Sequence, residues 1–342
     1  MSETVASDSA ALAPAAEPQD AAPLCLDFSG RLRFARPPAG EGEDPAPASA
    51  AEVVTRLAAA SFADRGTLLP DAAGAGRFAL AMVRNAHRLA GRPKRTELMF
   101  CAGPGPAPLP PGLHDTVGLD IQRTDEPGAL VAALTPKTAA VLISPVRLNA
   151  TLEVLPGSLL AELRQACDDY GVALMFDESE SGLGRTGMMW AHEWTGVTPD
   201  VLLVNGGLAA SPLAAVLATA KFARGAPPAP AIAPEAMAEA ADTLDRLLAP
   251  GAEGEIQARG WALEDRLATL SWHHRALFPA TCGIGLMQGL VCAGDAAELA
   301  TRAATEGLAL RPLGPVLGLF PPLDVTEAEL EAAADILGRL VA

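Results

Sequence analysis

Residues 173–219 read ALMFDESESGLGRTGMMWAHEWTGVTPDVLLVNGGLAASPLAAVLAT. The stretch contains two short apolar runs, ALMF (173–176) and VLLV (201–204), which are suited to strands buried on both faces. The second run ends at Asn205 and a pair of glycines that begins with Gly206, so no ionisable side chain follows it. Ligands and catalytic residues of open α/β sheets lie at the carboxyl ends of strands. The end of this strand therefore lacks a reactive group where one is expected.

Short apolar runs and amphipathic segments alternate through the first two-thirds of the chain. Continuous apolar strands separated by helices are typical of parallel pairing with both sheet faces covered. We therefore predict an α/β fold with a mostly parallel central sheet flanked by helices. The predicted strands are TELMFCA (96–102), TAAVLIS (138–144), VALMFDE (172–178) and PDVLLVN (199–205), and the predicted helices are AEVVTRLAAASFA (51–63), RFALAMVRNAHRLA (77–90), GALVAALT (128–135) and SLLAELRQACDDYG (158–171).

Changes in composition predict five segments along the chain. They are a disordered N-terminal tail (1–23), an N-terminal segment of a small domain (24–50), a large domain (51–224), a Pro-rich linker with a helix (225–250) and a C-terminal small α/β domain (251–342). Within the second segment, LCLDFSGRLRF (24–34) predicts a short β-hairpin, and the Pro-rich part that follows it predicts irregular structure. The last domain contains a predicted strand, GLMQGLVCA (285–293), and ends in a predicted helix that Thr326 and Glu329 begin with capping-box spacing.

Composition excludes several classes of function. The 342 residues carry 41 acidic and 25 basic side chains, a formal net charge of -16, so nucleic acid is not an expected partner. The five cysteines are scattered without CxxC or Cys/His spacing, which indicates reduced thiols and no metal site. The first residues are acidic without an apolar signal region, and no apolar run is long enough for a bilayer. We expect a cytoplasmic protein without a membrane partner.

The segment 173–219 is similar, almost without gaps, to the class III aminotransferases, which depend on pyridoxal phosphate (PLP) and include acetylornithine, ornithine and 4-aminobutyrate aminotransferases. The family pattern contains FDEVQTGFGRTG, and this chain has FDESESGLGRTG (176–187). Weaker similarities are LCLDFSG near the N-terminus, GIGLMQGLV, and EGLALRPLGPVLGLFPPLDVTEAEL near the end. The resemblance runs from about residue 24 to the end. It implies the fold type I of PLP-dependent transferases, with a large PLP-type domain, and assembly as a homodimer.

The resemblance assigns cofactor contacts to two acidic residues. Asp177 stands where the family has the carboxylate that pairs with the pyridinium nitrogen and keeps the ring an electron sink. The alternative for Asp177 is a carboxylate that caps the following turn. Glu180 stands where the family has a glutamine near the phenolic oxygen, and an acid there would oppose the electron-rich oxygen. We interpret both residues as a vestigial cofactor site.

The family's Schiff-base lysine aligns with Gly206. That lysine must attack the PLP aldehyde and then move a proton, and glycine can do neither. The chain has three lysines, Lys94, Lys137 and Lys221, and their placement in loops or at a helix start predicts solvated surface cations. We therefore predict that no residue of this chain takes the catalytic role of that lysine.

Further departures remove other contacts that the resemblance implies. Asp71 stands in the phosphate-binding helix start, where a carboxylate would repel a phosphate dianion. The arginine that holds the substrate carboxylate aligns with Gly318, so no substrate-binding residue is predicted. The glutamate of the VEPxxGE segment aligns with Ser144, and the segment that lends a threonine to the partner's phosphate is replaced by RGAPPAPAIAPE (224–235). The ring-stacking aromatic-His-Gly segment has no counterpart after FCAGPGPAP (100–108).

Three functions remain open at this point. The first is a class III aminotransferase-like pseudoenzyme, with PLP binding weak or absent, that retains the fold and self-association. The second is a divergent PLP-dependent transaminase of acetylornithine or ornithine type with residual cofactor binding. The third is a regulatory or structural subunit that forms a heterodimer with an active paralogue. The motif losses favour a protein without transaminase activity.

Overall fold

The computed structural model describes residues 26–30, 34, 49–101 and 118–341. The predicted tail and most of the irregular stretch before residue 49 lie outside these residues, as does the segment after Cys101 that lacks the stacking motif. The strands are β1 (Leu26–Asp27), β2 (Arg65–Leu69), β3 (Glu97–Cys101), β4 (Asp120–Thr124), β5 (Thr138–Ile143), β6 (Val146–Leu148), β7 (Leu152–Val154), β8 (Ala173–Asp177), β9 (Val201–Asn205), β10 (Ala214–Ala218), β11 (Ala280–Ile284), β12 (Met287–Val291), β13 (Leu308–Ala309), β14 (Arg311–Leu313) and β15 (Val316–Leu319). The helices are α1 (Ala50–Ala59), α2 (Ala72–Leu89), α3 (Ala129–Ala133), α4 (Gly157–Tyr170), α5 (Ala220–Ala223), α6 (Pro234–Leu247), α7 (Ala252–His273), α8 (Ala296–Thr305) and α9 (Glu327–Val341), and Ala191–Thr195 forms a 3₁₀ turn.

The central sheet has the strand order β2-β10-β9-β8-β5-β3-β4 among the described residues. The four strands predicted from apolar runs lie in its interior and pair in parallel, which confirms the predicted α/β class. The edge strand β4 also pairs in parallel, whereas β10 runs antiparallel to both of its neighbours. Because β10 is antiparallel to both β9 and β2, those two strands point the same way.

The interior strands are apolar throughout because each face of the sheet is covered by helices. In β8, Leu174 and Phe176 face a core formed with α1, α4, α6 and α7, while Ala173 and Met175 face a second core formed with α2 and α5. Successive side chains of a strand point to opposite faces, so a doubly covered strand has no polar position. The α/β layers thus follow directly from these runs.

The C-terminal part forms a four-stranded antiparallel sheet of order β11-β12-β15-β14 that packs against α7 and α8, and α9 packs against these two helices. The hairpin β6–β7, which follows β5 at its carboxyl end, packs against this C-terminal sheet. The hairpin therefore connects the two sheets. Thr326 and Glu329 form the predicted capping box, since the Glu329 carboxylate accepts from the Thr326 backbone N–H at 2.7 Å and the Thr326 hydroxyl accepts from the Glu329 N–H at 3.3 Å. This prediction is confirmed.

The predicted β-hairpin at 24–34 includes residues 24–25 and 31–33, which lie outside the described residues, so it stays a prediction. Within the described part, Leu26 and Asp27 pair in parallel with Leu308 and Ala309, and Ser29 forms a bridge with Phe320. Phe28 is buried in the main core. Leu26 and Phe28 are thus buried beside the C-terminal part, a distant contact that local alternation does not indicate.

The GLGRTG loop (182–187) is buried within this chain. The Arg185 guanidinium donates to the Pro321 carbonyl, and the Arg185 carbonyl accepts from the Leu286 N–H at 2.9 Å. A Cβ on Gly285, which has φ +58°, would overlap the Thr186 backbone. The loop therefore joins the large sheet to the C-terminal sheet by close backbone packing.

Candidate functional site

The candidate site lies at the carboxyl edge of the central sheet. Asp177 ends β8 and lies beside β9, with Asp177 opposite Leu203 in the ladder. Its partly buried carboxylate accepts a hydrogen bond from the Ser179 N–H at 3.0 Å, which is the turn-capping role considered as the alternative. Burial raises the pKa of Asp177 above its ordinary value, and the nearby carboxylates of Glu180 and Glu178 act in the same direction.

Gly206 follows β9 at this same edge with φ +67°, a left-handed conformation that favours glycine. A Cβ built there would meet one neighbour within 4 Å, the Ser179 carbonyl oxygen at 3.9 Å. The position therefore has space for a side chain but carries none.

All three lysines of the chain lie at the opposite, amino edge of the sheet. Lys94 precedes β3 and Lys137 precedes β5, and both are exposed. Lys221 follows β10, whose last residue pairs with Val201 at the start of β9. Its ammonium lies 4.0 Å from the Asp200 carboxylate and 4.8 Å from the centre of the Phe222 ring. The two edges are separated by the length of a five-residue strand, a distance of roughly 15 Å.

Asp71 stands at the N-terminus of α2, on the carboxyl edge of the sheet after β2, which β10 separates from β9. Leu69 at the end of β2 and Asn205 at the end of β9 both pair with Ala214, so the two ends lie at one level. The Asp71 carboxylate is the N-cap of α2 and accepts from the Gly74 N–H at 2.6 Å. The chain's own anion thus occupies the positive end of this helix.

Gly318 lies in β15, directly opposite Arg311 in β14. A Cβ on Gly318 would lie 2.8 Å from Cζ of Phe320 and 2.9 Å from the Arg311 carbonyl oxygen, so the space that an arginine would need is filled. Arg311 extends from this position to Glu180, with Nη1 3.1 Å from Oε2. Sequence reasoning missed Arg311, although a Gly314-Pro315 turn would have predicted its pairing with Gly318.

Glu178 and His192 form a buried pair that sequence reasoning also missed. The Glu178 carboxylate accepts from the backbone N–H groups of Ala191 (2.5 Å) and His192 (3.0 Å). One of its oxygens also lies 2.7 Å from Nδ1 of His192. The His192 ring in turn contacts the rings of Phe62 and Phe176. A buried carboxylate with several donors fixes the backbone that carries it. The pair therefore fixes the backbone immediately after Asp177.

The end of β5 leads to a buried cation. Ser144, the position of a glutamate in the family pattern, is half-buried and is followed closely by Arg147, which is buried. The Arg147 guanidinium pairs with Glu153 and lies 3.3 Å from Sγ of Cys101. This contact links the ends of β3 and β5 at the carboxyl edge.

The described residues form neither a metal site nor a membrane-spanning helix. No cluster of His, Cys, Asp and Glu there could hold a metal ion. No helix there is long and apolar enough to cross a membrane. Burial raises the pKa of Cys167 to about 12 and that of Cys282 to about 11, so neither thiol is a nucleophile at neutral pH.

Comparisons with known proteins match the chain to one family. The family model described as Aminotransferase class-III matches residues 118–341. Acetylornithine aminotransferase from Mesorhizobium japonicum is 32% identical over 81% of this chain and 75% of its own length, and acetylornithine aminotransferase 1 from Bradyrhizobium diazoefficiens is 32% identical over 84% and 76%.

Solved structures give the same result for the fold. N-acetylornithine aminotransferase from Stenotrophomonas maltophilia has a TM-score of 0.71 and 28% identity, over 83% of this chain and 77% of that chain. Ornithine aminotransferase from Toxoplasma gondii has a TM-score of 0.74 over 86% and 76%, and its 22% identity supports the fold alone. The expected fold of PLP-dependent aminotransferases is confirmed.

Proposed function

The chain belongs to the class III aminotransferase family, and from this premise we propose that it has lost transaminase chemistry and acts as a pseudoenzyme, in a regulatory or structural role. We propose the cytoplasm as its location, in accord with the acidic composition and the scattered cysteines.

The observation that carries this proposal is the position of the amines. Gly206 provides no amine beside Asp177, and each lysine lies beyond the amino end of a strand. Arginine remains protonated and does not form imines under ordinary conditions. Within the part of the chain that the structure describes, the carboxyl edge therefore carries no amine that could condense with an aldehyde and then move the proton.

The residues present do not fit PLP, the cofactor of this family. The helix start that would bind a phosphate is capped by the Asp71 carboxylate, and Glu180 adds a second negative charge near Asp177. Like charges at these distances are repulsive, and Asp71 competes for the same N–H groups. We propose that PLP binds weakly or not at all, and we assign no step to it.

Absorbance spectroscopy tests the proposal directly. Purified protein with added PLP should give no stable band near 420 nm, and borohydride should not fix a pyridoxyl group on a lysine. Mass spectrometry of the reduced protein gives an independent readout. A stable band with one pyridoxylated lysine would refute the proposal.

The second candidate is a divergent transaminase of the acetylornithine type. It is favoured by the 32% identity to proteins of that name and by Asp177, whose position at the end of β8 matches the family carboxylate. This candidate predicts the 420 nm band and conversion of the PLP form by an amino donor. The same spectroscopic experiment therefore separates the two candidates.

A further inference from the structure

A cavity of about 540 Å³ lies at the amino edge of β2, on the face of the central sheet that α2 and α5 cover. Val216 and Ala218 of β10 and Met82 of α2 form its apolar floor, and all three are buried. Arg65 and Arg224 also line the cavity, and both are exposed. The cavity therefore combines an apolar floor with cationic side chains that solvent reaches.

The fold fixes the backbone that carries the two arginines. Arg65 begins β2 and is paired with the last residue of β10. Arg224 follows α5 directly, and the next residue, Gly225, packs so closely on α2 that a Cβ there would lie 2.2 Å from the Met82 carbonyl oxygen. The Asn85 side-chain amide donates to the Gly225 carbonyl at 3.1 Å. The cavity is therefore held between a paired strand and a tightly packed turn.

The charges that line the cavity leave one positive charge in excess. Among the residues that the structure describes, neither Arg65 nor Arg224 forms an ion pair, and Arg65 has the Asp64 backbone carbonyl oxygen 3.5 Å away. Asp64 also lines the cavity, and its carboxylate accepts from the Ala220 N–H at 2.7 Å. Two guanidinium groups and one engaged carboxylate favour a ligand with a single negative charge. This local excess stands out in a chain of net charge -16.

We propose that this cavity binds a small amphipathic carboxylate, with its head group held by Arg65 and Arg224 and its apolar body on the floor. A guanidinium fork binds a carboxylate through two parallel hydrogen bonds. Cavities of about 300–1,000 Å³ that are mostly apolar with a few polar groups are typical of small-molecule sites. The volume and the lining of this cavity meet both conditions.

The proposed site is separate from the candidate site at the carboxyl edge. It lies at the other end of the strands, about the length of a five-residue strand away. Arg224 and Ala226, which also lines the cavity, belong to the segment 224–235, where this chain departs from the family pattern. Binding there requires neither PLP nor transaminase activity, and so it goes beyond the function proposed above.

Titration of the full chain with octanoate tests the proposal, with the methionine methyl groups followed by ¹³C NMR. Met82 is part of the floor, and Met82→Leu assigns its resonance. We expect this resonance to shift saturably with octanoate. Octanol lacks the charged head group and inorganic phosphate lacks the apolar body. We expect each of these two probes to bind at least about twofold more weakly than octanoate.

Substitutions separate the head-group contacts from the apolar floor. Arg65→Gln and Arg224→Gln should each weaken octanoate binding about two- to fivefold, the range that exposed ion pairs correspond to. The double variant should bind octanoate no better than octanol. Ala223→Leu adds volume to the lining of the cavity and should weaken the binding of both. Arg88→Gln removes the same charge from an exposed position of α2 outside the cavity, and this matched control should change nothing.

Three results would overturn the proposal. The first is the lack of a saturable shift of the Met82 resonance with octanoate. The second is octanoate binding that the double arginine variant leaves unchanged, or that Arg88→Gln weakens as much as Arg224→Gln does. The third is binding of octanol or phosphate as tight as that of octanoate. Unfolding curves establish that each variant is folded, and the exposed arginine variants suffice if Ala223→Leu does not fold.

Discussion

At the scale of single residues, Gly206 determines what the site can do. Its φ of +67° costs a residue with a Cβ about 1–2 kcal/mol, but its surroundings are open. A lysine introduced there would be strained in its backbone without being blocked sterically. The substitution Gly206→Lys therefore tests whether the rest of the site is functional.

We expect Gly206→Lys not to restore half-transamination. The introduced amine would lie near Asp177, but the α2 N-terminus is capped by Asp71 and position 318 has no arginine. A misplacement of about 1 Å can lower a rate on the order of a hundredfold. The measurement is single-turnover conversion of the PLP form with glutamate, ornithine, acetylornithine and 4-aminobutyrate as donors. Conversion within minutes at millimolar donor would show an intact pocket and contradict this expectation.

Asp177 should destabilise the folded protein at neutral pH. Burial raises its pKa in the folded state, so the native protein holds this proton more tightly than the unfolded chain does. Stability from this group is therefore greatest below the ordinary pKa of 3.8 and is lost as the pH rises through the raised value. Asp177→Asn should be more stable than the parent at pH 7.5, with the difference shrinking toward pH 4.

Urea unfolding between pH 4 and pH 8 measures this difference. Asp335→Asn, on an exposed position of α9, is the matched control and should stay within about 0.5 kcal/mol of the parent at every pH. A loss of stability in Asp177→Asn at pH 7.5 would mean that the carboxylate is stabilised in its charged form.

At the scale of elements, the contact between the GLGRTG loop and the C-terminal sheet depends on glycine. Gly285→Ala would force a Cβ into the Thr186 backbone at positive φ, and we expect a loss of about 2–4 kcal/mol. Gly254→Ala, in the first turn of α7 with no neighbour within 4 Å, should gain about 0.5–1 kcal/mol. Equilibrium unfolding in urea at 25 °C measures the free energy of unfolding of both variants. Equal changes in Gly285→Ala and Gly254→Ala would contradict the close packing at Gly285.

The interior strands could be predicted because burial on both faces leaves an unbroken apolar run. The edge strands β2 (RGTLL) and β4 (DIQRT) have polar positions and were missed, and β11 is a half-buried edge strand of the C-terminal sheet. Asp177, Gly206, Asp71 and Gly318 could be singled out because each has a place in a family motif, and their roles stay predictions. The Gly314-Pro315 turn indicates where Arg311 pairs in its hairpin, but the contact of Arg311 with Glu180 and the Glu178–His192 pair depend on tertiary packing, which no local pattern encodes.

At the scale of the whole molecule, we propose a homodimer, or a heterodimer with an active paralogue. The chain is 50% hydrophobic, and Trp261 and Trp272 on one side of α7 are 58% and 71% exposed. Large exposed aromatic side chains are often covered in assemblies. Light scattering at micromolar concentration should give twice the chain mass of 35.0 kDa. Monomer alone, with no paralogue in the purified material, would contradict this.

The pairing of β1 with β13 delays the completion of folding during synthesis on the ribosome. Leu26 pairs with Leu308, so β1 cannot form this pairing until nearly the whole chain has emerged. At about 5–20 residues per second, Phe28 waits roughly 15–60 s for its binding surface. During that time an apolar segment is available to chaperones and to other nascent chains.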